Sequence, residues 1–307
     1  MVPIVEAVPQ TATKHSSFTR YAWGVLGWNF LVVLWGAYVR ASGSGAGCGS
    51  EWPLCKGEVV PQASRLDTII EFAHRATSGV ALAAVIALAV WSIYRFPRGH
   101  RVRRAATLSV VFVIFEVLLG AGIVLFRYVA QNASVGRAFY LSLHLVNTQL
   151  LLAVLTLTAW FSRDDSAPPH GRSTLVVATL PVVLLVSVSG AIAALGDTLF
   201  PATSLAEGMR QDVSATAHFL LRLRVLHPAL AILGAAFCVF TAVRVLRSAP
   251  RRLIARIAFT VMLVSMAQLM AGAMNIALLA PIWMQLAHLF LADVLWLSLV
   301  LLAIESG

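Results

Sequence analysis

Glu71, His74 and Arg75 stand together in the stretch Ile70-Glu71-Phe72-Ala73-His74-Arg75, near the start of an apolar run that continues to Tyr94. Ionisable groups at the head of a membrane-length helix are costly, and by default they mark a functional site. In helical register Glu71 shares a face with His74 at i, i+3 and with Arg75 at i, i+4. His144, His227 and His288 stand at similar depth in later apolar runs, but no glutamate precedes any of them by three residues. Ahead of His227 that place is taken by Arg224. Two parallel helices that each present an imidazole at one height offer the usual axial pair for a b-type haem in a bundle. Other metals fit less well, because no Cys or carboxylate completes a four-ligand set in the second half. A single membrane histidine also serves to hydrogen-bond across a helix interface. Four at one depth point to ligation, with His74 and His144 as one pair and His227 and His288 as the other.

The missing glutamate suggests one site that reacts and one that relays electrons. A buried carboxylate beside a metal centre moves protons or positions water if its pKa suits, which makes Glu71 the catalytic candidate. The alternative is a salt bridge to Arg75 that closes the helix end. Glu116 and Asp293, also inside apolar runs, are further proton-path candidates. Arg75, His218, Arg222 and Arg224 are candidates to meet carboxylates such as haem propionates, with interfacial anchoring as the alternative. His15, His100 and His170 fall in polar connections and read as solvated. Gly79, Gly120, Gly122, Gly190 and Gly272 would leave room for a flat macrocycle, although such glycines also promote plain helix packing.

The elements that position these residues follow from composition. The chain is 59% hydrophobic and 12% charged, with mean hydropathy +0.84. Soluble domains carry about a quarter charged residues, so this is an all-α integral membrane protein. Eight runs reach the roughly 20 residues a spanning helix needs: 21–39, 67–94, 105–125, 138–161, 174–194, 218–243, 257–279 and 282–304. They lack the alternation of barrel strands. The net charge of +10 reports topology rather than a nucleic-acid partner. Fourteen of the 23 Lys and Arg residues, among them Lys14, Arg20, Arg95, Arg104, Arg163, Arg172, Arg244 and Arg256, fall on one side. The positive-inside rule makes that side cytoplasmic, with both termini inside and the histidine sites toward the outer face of a cell membrane. Residues 1–18 are polar without an apolar core, so helix 1 is expected to be an uncleaved anchor. Cys48 and Cys55 share the first outer loop, 41–66, and read as a disulfide on the oxidising face. A pair of free thiols is the alternative, and a zinc site lacks further ligands there.

The two halves overlay helix by helix. Gly36-Ala37 matches Gly190-Ala191, His74 matches His227, Glu116-x-x-x-Gly120 matches Gln268-x-x-x-Gly272, and His144-Leu145 matches His288-Leu289. The expected architecture is eight transmembrane helices in two tandem, pseudo-symmetric four-helix bundles. A cytoplasmic segment 1–20 precedes the N-terminal bundle 21–162, and a linker 163–173 leads to the C-terminal bundle 174–307.

These residues resemble the haem A synthases of aerobic respiration. The resemblance rests on Tyr38-Val39-Arg40-Ala41-Ser42-Gly43, Ala46-Gly47-Cys48, Trp52-Pro53-Leu54-Cys55 and Glu71-Phe72-Ala73-His74-Arg75. It continues through His144-Leu145, Leu223-Arg224-Val225-Leu226-His227-Pro228 and His288, and so covers the whole chain from helix 1 to helix 8. It implies oxidation of a methyl group of haem O to a formyl group, giving haem A for cytochrome oxidase. It further implies that His74 and His144 hold the haem O substrate, that His227 and His288 hold a permanent haem b, and that Glu71 serves the oxidation. The loop cysteines are implied to form a disulfide near the substrate. Some members carry a second cysteine pair after helix 5, which 194–217 lacks. Expected partners are haem O, a haem O synthase, an electron acceptor and membrane lipid. Two other functions suit four histidines: a quinol-linked two-haem cytochrome b that only carries electrons, and a haem transporter or chaperone.

Overall fold

The computed structural model describes residues 17–62, 65–163, 173–248 and 251–306. Lys14, His15, His170 and Arg172, with most of the N-terminal segment and of the 163–173 linker, lie outside the described residues. Among the described residues, eight helices are long and apolar enough to cross a membrane. They are α1 (Ser17–Ala41), α2 (Leu66–Arg95), α3 (Arg101–Leu125), α4 (Val135–Phe161), α5 (Thr174–Leu199), α7 (Phe219–Arg247), α8 (Arg252–Ala277) and α9 (Ile282–Glu305). The remaining one, α6 (Leu205–Val213), is a short helix in the segment between α5 and α7 that the sequence pattern leaves as plain loop. Its start is a capping box: Ser204 Oγ accepts from the Glu207 amide, and Glu207 accepts from the Thr203 amide. Hydrogen bonds from the Thr203 hydroxyl and amide hold the Glu207 carboxyl below its ordinary range.

Helix packing repeats in the two halves. In the first, α1 contacts α2, α2 contacts α3, α3 contacts α4, and α4 returns to α1. In the second, α5 contacts α7, α7 contacts α8, α8 contacts α9, and α9 returns to α5. Each half is thus a closed ring of four helices, and the halves meet where α4 touches α5 and α9 and where α1 touches α9. Each ring has its own apolar core. Phe18, Leu26, Val85, Leu88, Leu152 and Leu155 fill the first, and Val176, Ala242, Val261, Leu299 and Leu302 fill the second. Both cores lie toward the helix ends that carry the arginine-rich connections. The four histidines stand at the opposite ends and belong to neither core.

Lipid supplies no hydrophobic drive between helices, so close packing and interhelical hydrogen bonds carry the association. The seam is correspondingly polar. Gln149 of α4 donates to Asp293 of α9 at 2.7 Å, with Asp293 fully buried, and Trp296 Nε1 donates to the Gln149 carbonyl at 2.7 Å. Gln149 follows His144 by five residues and Asp293 follows His288 by five, so repeat-related positions meet each other at the seam. Nearer the histidine end, Arg40 of α1 donates to the Ala194 carbonyl and Thr198 of α5 and to Gln285 of α9. Removing one partner of a buried hydrogen bond costs about 1–3 kcal/mol. Asp293→Ala is therefore expected to destabilise the purified protein by about that much in thermal or denaturant unfolding. Asp293→Asn, which keeps an acceptor for the Gln149 amide, should lose markedly less.

Candidate functional site

His74, His144, His227 and His288 are the ninth, tenth, ninth and seventh residues of α2, α4, α7 and α9. At 1.5 Å per residue they lie within about one helical turn of a common level. Each ring faces a glycine on the neighbouring helix. A Cβ added at Gly36 of α1 would stand 2.9 Å from His74 Cε1, and one at Gly190 of α5 would stand 2.9 Å from His227 Cε1. At Gly272 of α8 the distance to His288 Cε1 is 3.2 Å, and at Gly120 of α3 the distance to His144 Cε1 is 4.0 Å. Three of the four imidazoles thus occupy space that any other residue would fill. Of the other glycines the sequence singled out, Gly122 receives Tyr140 and Gly79 borders open space.

The rings turn Nδ1 into the protein. This nitrogen is buried and without a hydrogen-bond partner in His74, His144 and His288, and in His227 it lies 2.9 Å from Ser189 Oγ. The side chain of His144 is nevertheless 28% exposed, so its accessible atoms are elsewhere on the residue. In the second half the His227 and His288 ring centroids are 6.4 Å apart with planes at 86°. Metal–nitrogen bonds of ~2.0–2.1 Å, plus about an ångström from nitrogen to ring centre, put two axial imidazoles roughly 6 Å apart. The spacing fits a single ion between the rings. Among the described residues no three His, Cys, Asp or Glu side chains converge as a protein-only metal site would need. Two imidazoles at this spacing with no third protein ligand suit an iron porphyrin, whose macrocycle would supply the other ligands.

The two halves differ in their charged groups. In the first, Glu71 is buried and both of its oxygens are engaged. Cys48 N donates to Oε2 at 2.8 Å, and Arg75 donates to Oε1 through Nε at 3.1 Å and Nη2 at 2.5 Å. Arg75 Nη1 also donates to the Glu51 and Leu54 carbonyls, both at 2.7 Å. Cys48 and Cys55 form a disulfide, and Thr68 donates to the Gly47 carbonyl. Gly47 itself packs so closely on α2 that an added Cβ would collide with the Asp67 backbone. Glu71, Thr68 and Arg75 therefore fasten the disulfide loop onto the first turns of α2. A second carboxylate stands at His144. Glu116 Oε1 of α3 is 3.4 Å from His144 Nδ1 and accepts a short hydrogen bond from Thr148, while its Oε2 accepts from Asn147 at 2.6 Å.

In the second half Arg224 occupies the place of Glu71, and its counter-ions come from other elements. Asp197 at the end of α5 and Asp212 of α6 pair with it at 2.8 and 2.5 Å. Asp197 and Asp212 lie 27 and 12 residues from Arg224, beyond what helical spacing shows. Arg222 is exposed and donates to the Ala215 carbonyl, and His218 caps α7 by accepting from the Leu220 amide. Gln268, the repeat counterpart of Glu116, lies 3.3 Å from His288 Nε2.

Over 295 residues, 95% of this chain, the protein is 47% identical to a protoheme IX farnesyltransferase of Thermus thermophilus, of which the match covers 48%. The haem A synthase of Halalkalibacterium halodurans is 38% identical over 138 residues, 45% of this chain and 44% of that one. That of Alkalihalophilus pseudofirmus is 40% identical over 135 residues, 44% and 43% of the two chains. The chain thus spans about half the length of these relatives. Residues 19–300 match the model of the cytochrome oxidase assembly proteins COX15 and CtaA, from α1 through to α9, and the chain belongs to that family.

Proposed function

We propose that the protein is a haem A synthase, a membrane oxidoreductase that converts a methyl group of haem O to a formyl group. The observation that carries this reading is the pair of repeat-related imidazole sets, each ring seated against a neighbouring helix, with different charged groups around them. On this reading 21–162 is the substrate half, where His74 and His144 hold haem O. In the half 174–307, His227 and His288 would hold a haem b, which when bound would supply electron transfer. The outer face bears the histidine sites, and both termini are cytoplasmic, as the arginine distribution supports.

A porphyrin methyl group is inert, and iron with its macrocycle supplies the redox chemistry that activates it. Written with water, the oxidation releases four electrons and four protons, so the protein must hold the substrate still and provide a route for protons. The glycine-backed imidazoles do the first. Glu71, buried one turn ahead of His74 and hydrogen-bonded to the Cys48 amide, is our candidate for the second. Arg75 keeps that carboxylate in place and leaves no guanidinium edge idle, since it also holds two loop carbonyls.

The Thermus relative's name favours a second reading, prenyl transfer to protohaem. Prenyl transfer makes no use of four paired imidazoles, whereas its farnesylated product is the substrate the oxidation needs. The region shared with that relative is also the region that resembles the haem A synthases.

Co-expression with a haem O synthase in a host lacking haem A, followed by pigment extraction and mass spectrometry, decides between them. Haem A should appear only when this protein is present. Haem O left unaltered by folded protein would overturn the oxidase reading, and farnesylation of protohaem without the synthase would establish the second. An electron carrier or a transporter would leave the pigment mass unchanged. Glu71→Gln should lower haem A formation by roughly 10²–10⁴-fold, the range for losing a general acid–base group, while extracted haem O persists. Gly36→Ala should reduce porphyrin retained by the first half and Gly190→Ala that of the second, each read as pyridine haemochrome per protein. Equal loss from both halves in either variant would count against the pairing of glycine with ring.

A further inference from the structure

The first half differs from the second not only by Glu71 but also at α3. We infer that Glu116 is a positioning residue for the first pocket, acting through His144 to make that imidazole the more electron-rich ligand. The inference rests on the reading of His74 and His144 as axial ligands. Glu116 Oε1 lies 3.4 Å from His144 Nδ1, which has no other partner, and a small turn of the ring closes the hydrogen bond. Asn147 holds Oε2 in place, while the Thr148 hydroxyl competes with His144 Nδ1 for Oε1. Both of these residues lie on α4 within one turn of His144, so the helix that presents the imidazole also fixes its partner.

The repeat provides the internal control. Gln268 takes the position of Glu116 and approaches Nε2 of His288, leaving His288 Nδ1 without a partner. A carboxylate that accepts from Nδ1–H orients a ligating histidine and raises its basicity, and losing such a partner costs roughly 10–100-fold in metal affinity or activity. A neutral amide beside the other nitrogen does neither. A more basic axial ligand favours ferric over ferrous iron, so the first-half haem should have a lower midpoint potential than it would with glutamine at position 116. The two pockets are thereby set at different potentials by an outer pair of residues rather than by their ligands, which are histidines in both.

The test is a potentiometric titration of the full-length protein, purified in detergent from cells that also make haem O, with optical detection of each haem. In Glu116→Gln the first-half midpoint should rise and the second stay where it is. In Thr148→Val, which frees Oε1 from its competing donor, the first-half midpoint should fall. A role confined to folding would not give shifts of opposite sign. Either variant with two low-spin haems and both midpoints unmoved overturns the inference, and Thr148→Val decides alone if Glu116→Gln does not retain porphyrin. Wild-type protein that holds no haem dependent on His74 and His144 would instead overturn the reading of the pocket itself.

Discussion

How near a helix backbone can come to an imidazole ring governs the whole histidine-bearing level of this protein. At Gly36 and Gly190 an added Cβ would stand 2.9 Å from the ring of a neighbouring histidine, and at Gly272 one would press on such a ring at 3.2 Å. Close approach of this kind draws helices together where lipid gives no hydrophobic drive. It also fixes the rings laterally, because an imidazole held between its own helix and a bare backbone has little room to change rotamer. The two apolar cores stop short of this level. At that level a smaller cluster of Ala138, Leu195 and Leu220 joins α4 to α5 and α7 beside the four aromatic rings.

Charge is handled by a second rule, that a buried ion must be compensated where it sits. Glu71 answers Arg75 and the Cys48 amide, and Arg224 answers Asp197 and Asp212. The two halves meet the rule with opposite polarity at one repeat position, an acid anchored by a loop in the first and a base anchored by α5 and α6 in the second. The two halves share one pattern of helix packing, and the connections at the histidine-bearing ends make them distinct. In the first that connection is a disulfide-closed loop stitched to α2, and in the second it is a short amphipathic helix.

Much of this was legible before any coordinates. The eight spans, the matched histidines and the glycine pairs Gly36/Gly190 and Gly120/Gly272 are properties of spacing within one segment, which sequence displays directly. What lay hidden depends on how each helix is rotated about its axis against its neighbours. Glu116 was visible as an intramembrane acid, but nothing in its own helix tells which residue of α4 it meets. Gly122 looks as useful as Gly272 in sequence but receives Tyr140 and no histidine. The loop after α5 shows no long apolar period, because α6 is only nine residues and buries none of them, so its Asp212 gave no sign of reaching Arg224. The arginines singled out for carboxylates were half legible. Arg75 and Arg224 do hold carboxylates, but those of Glu71, Asp197 and Asp212 within the chain.

Arg40 leaves the first repeat and finds all its acceptors in the second: a carbonyl and a hydroxyl on α5 and an amide oxygen on α9. A first bundle made alone would leave that guanidinium at the end of α1 without these three acceptors. The second half thereby completes the end of the first half's leading helix, so separating the two would leave α5 and α9 as well as α1 with unpaired polar groups at one level.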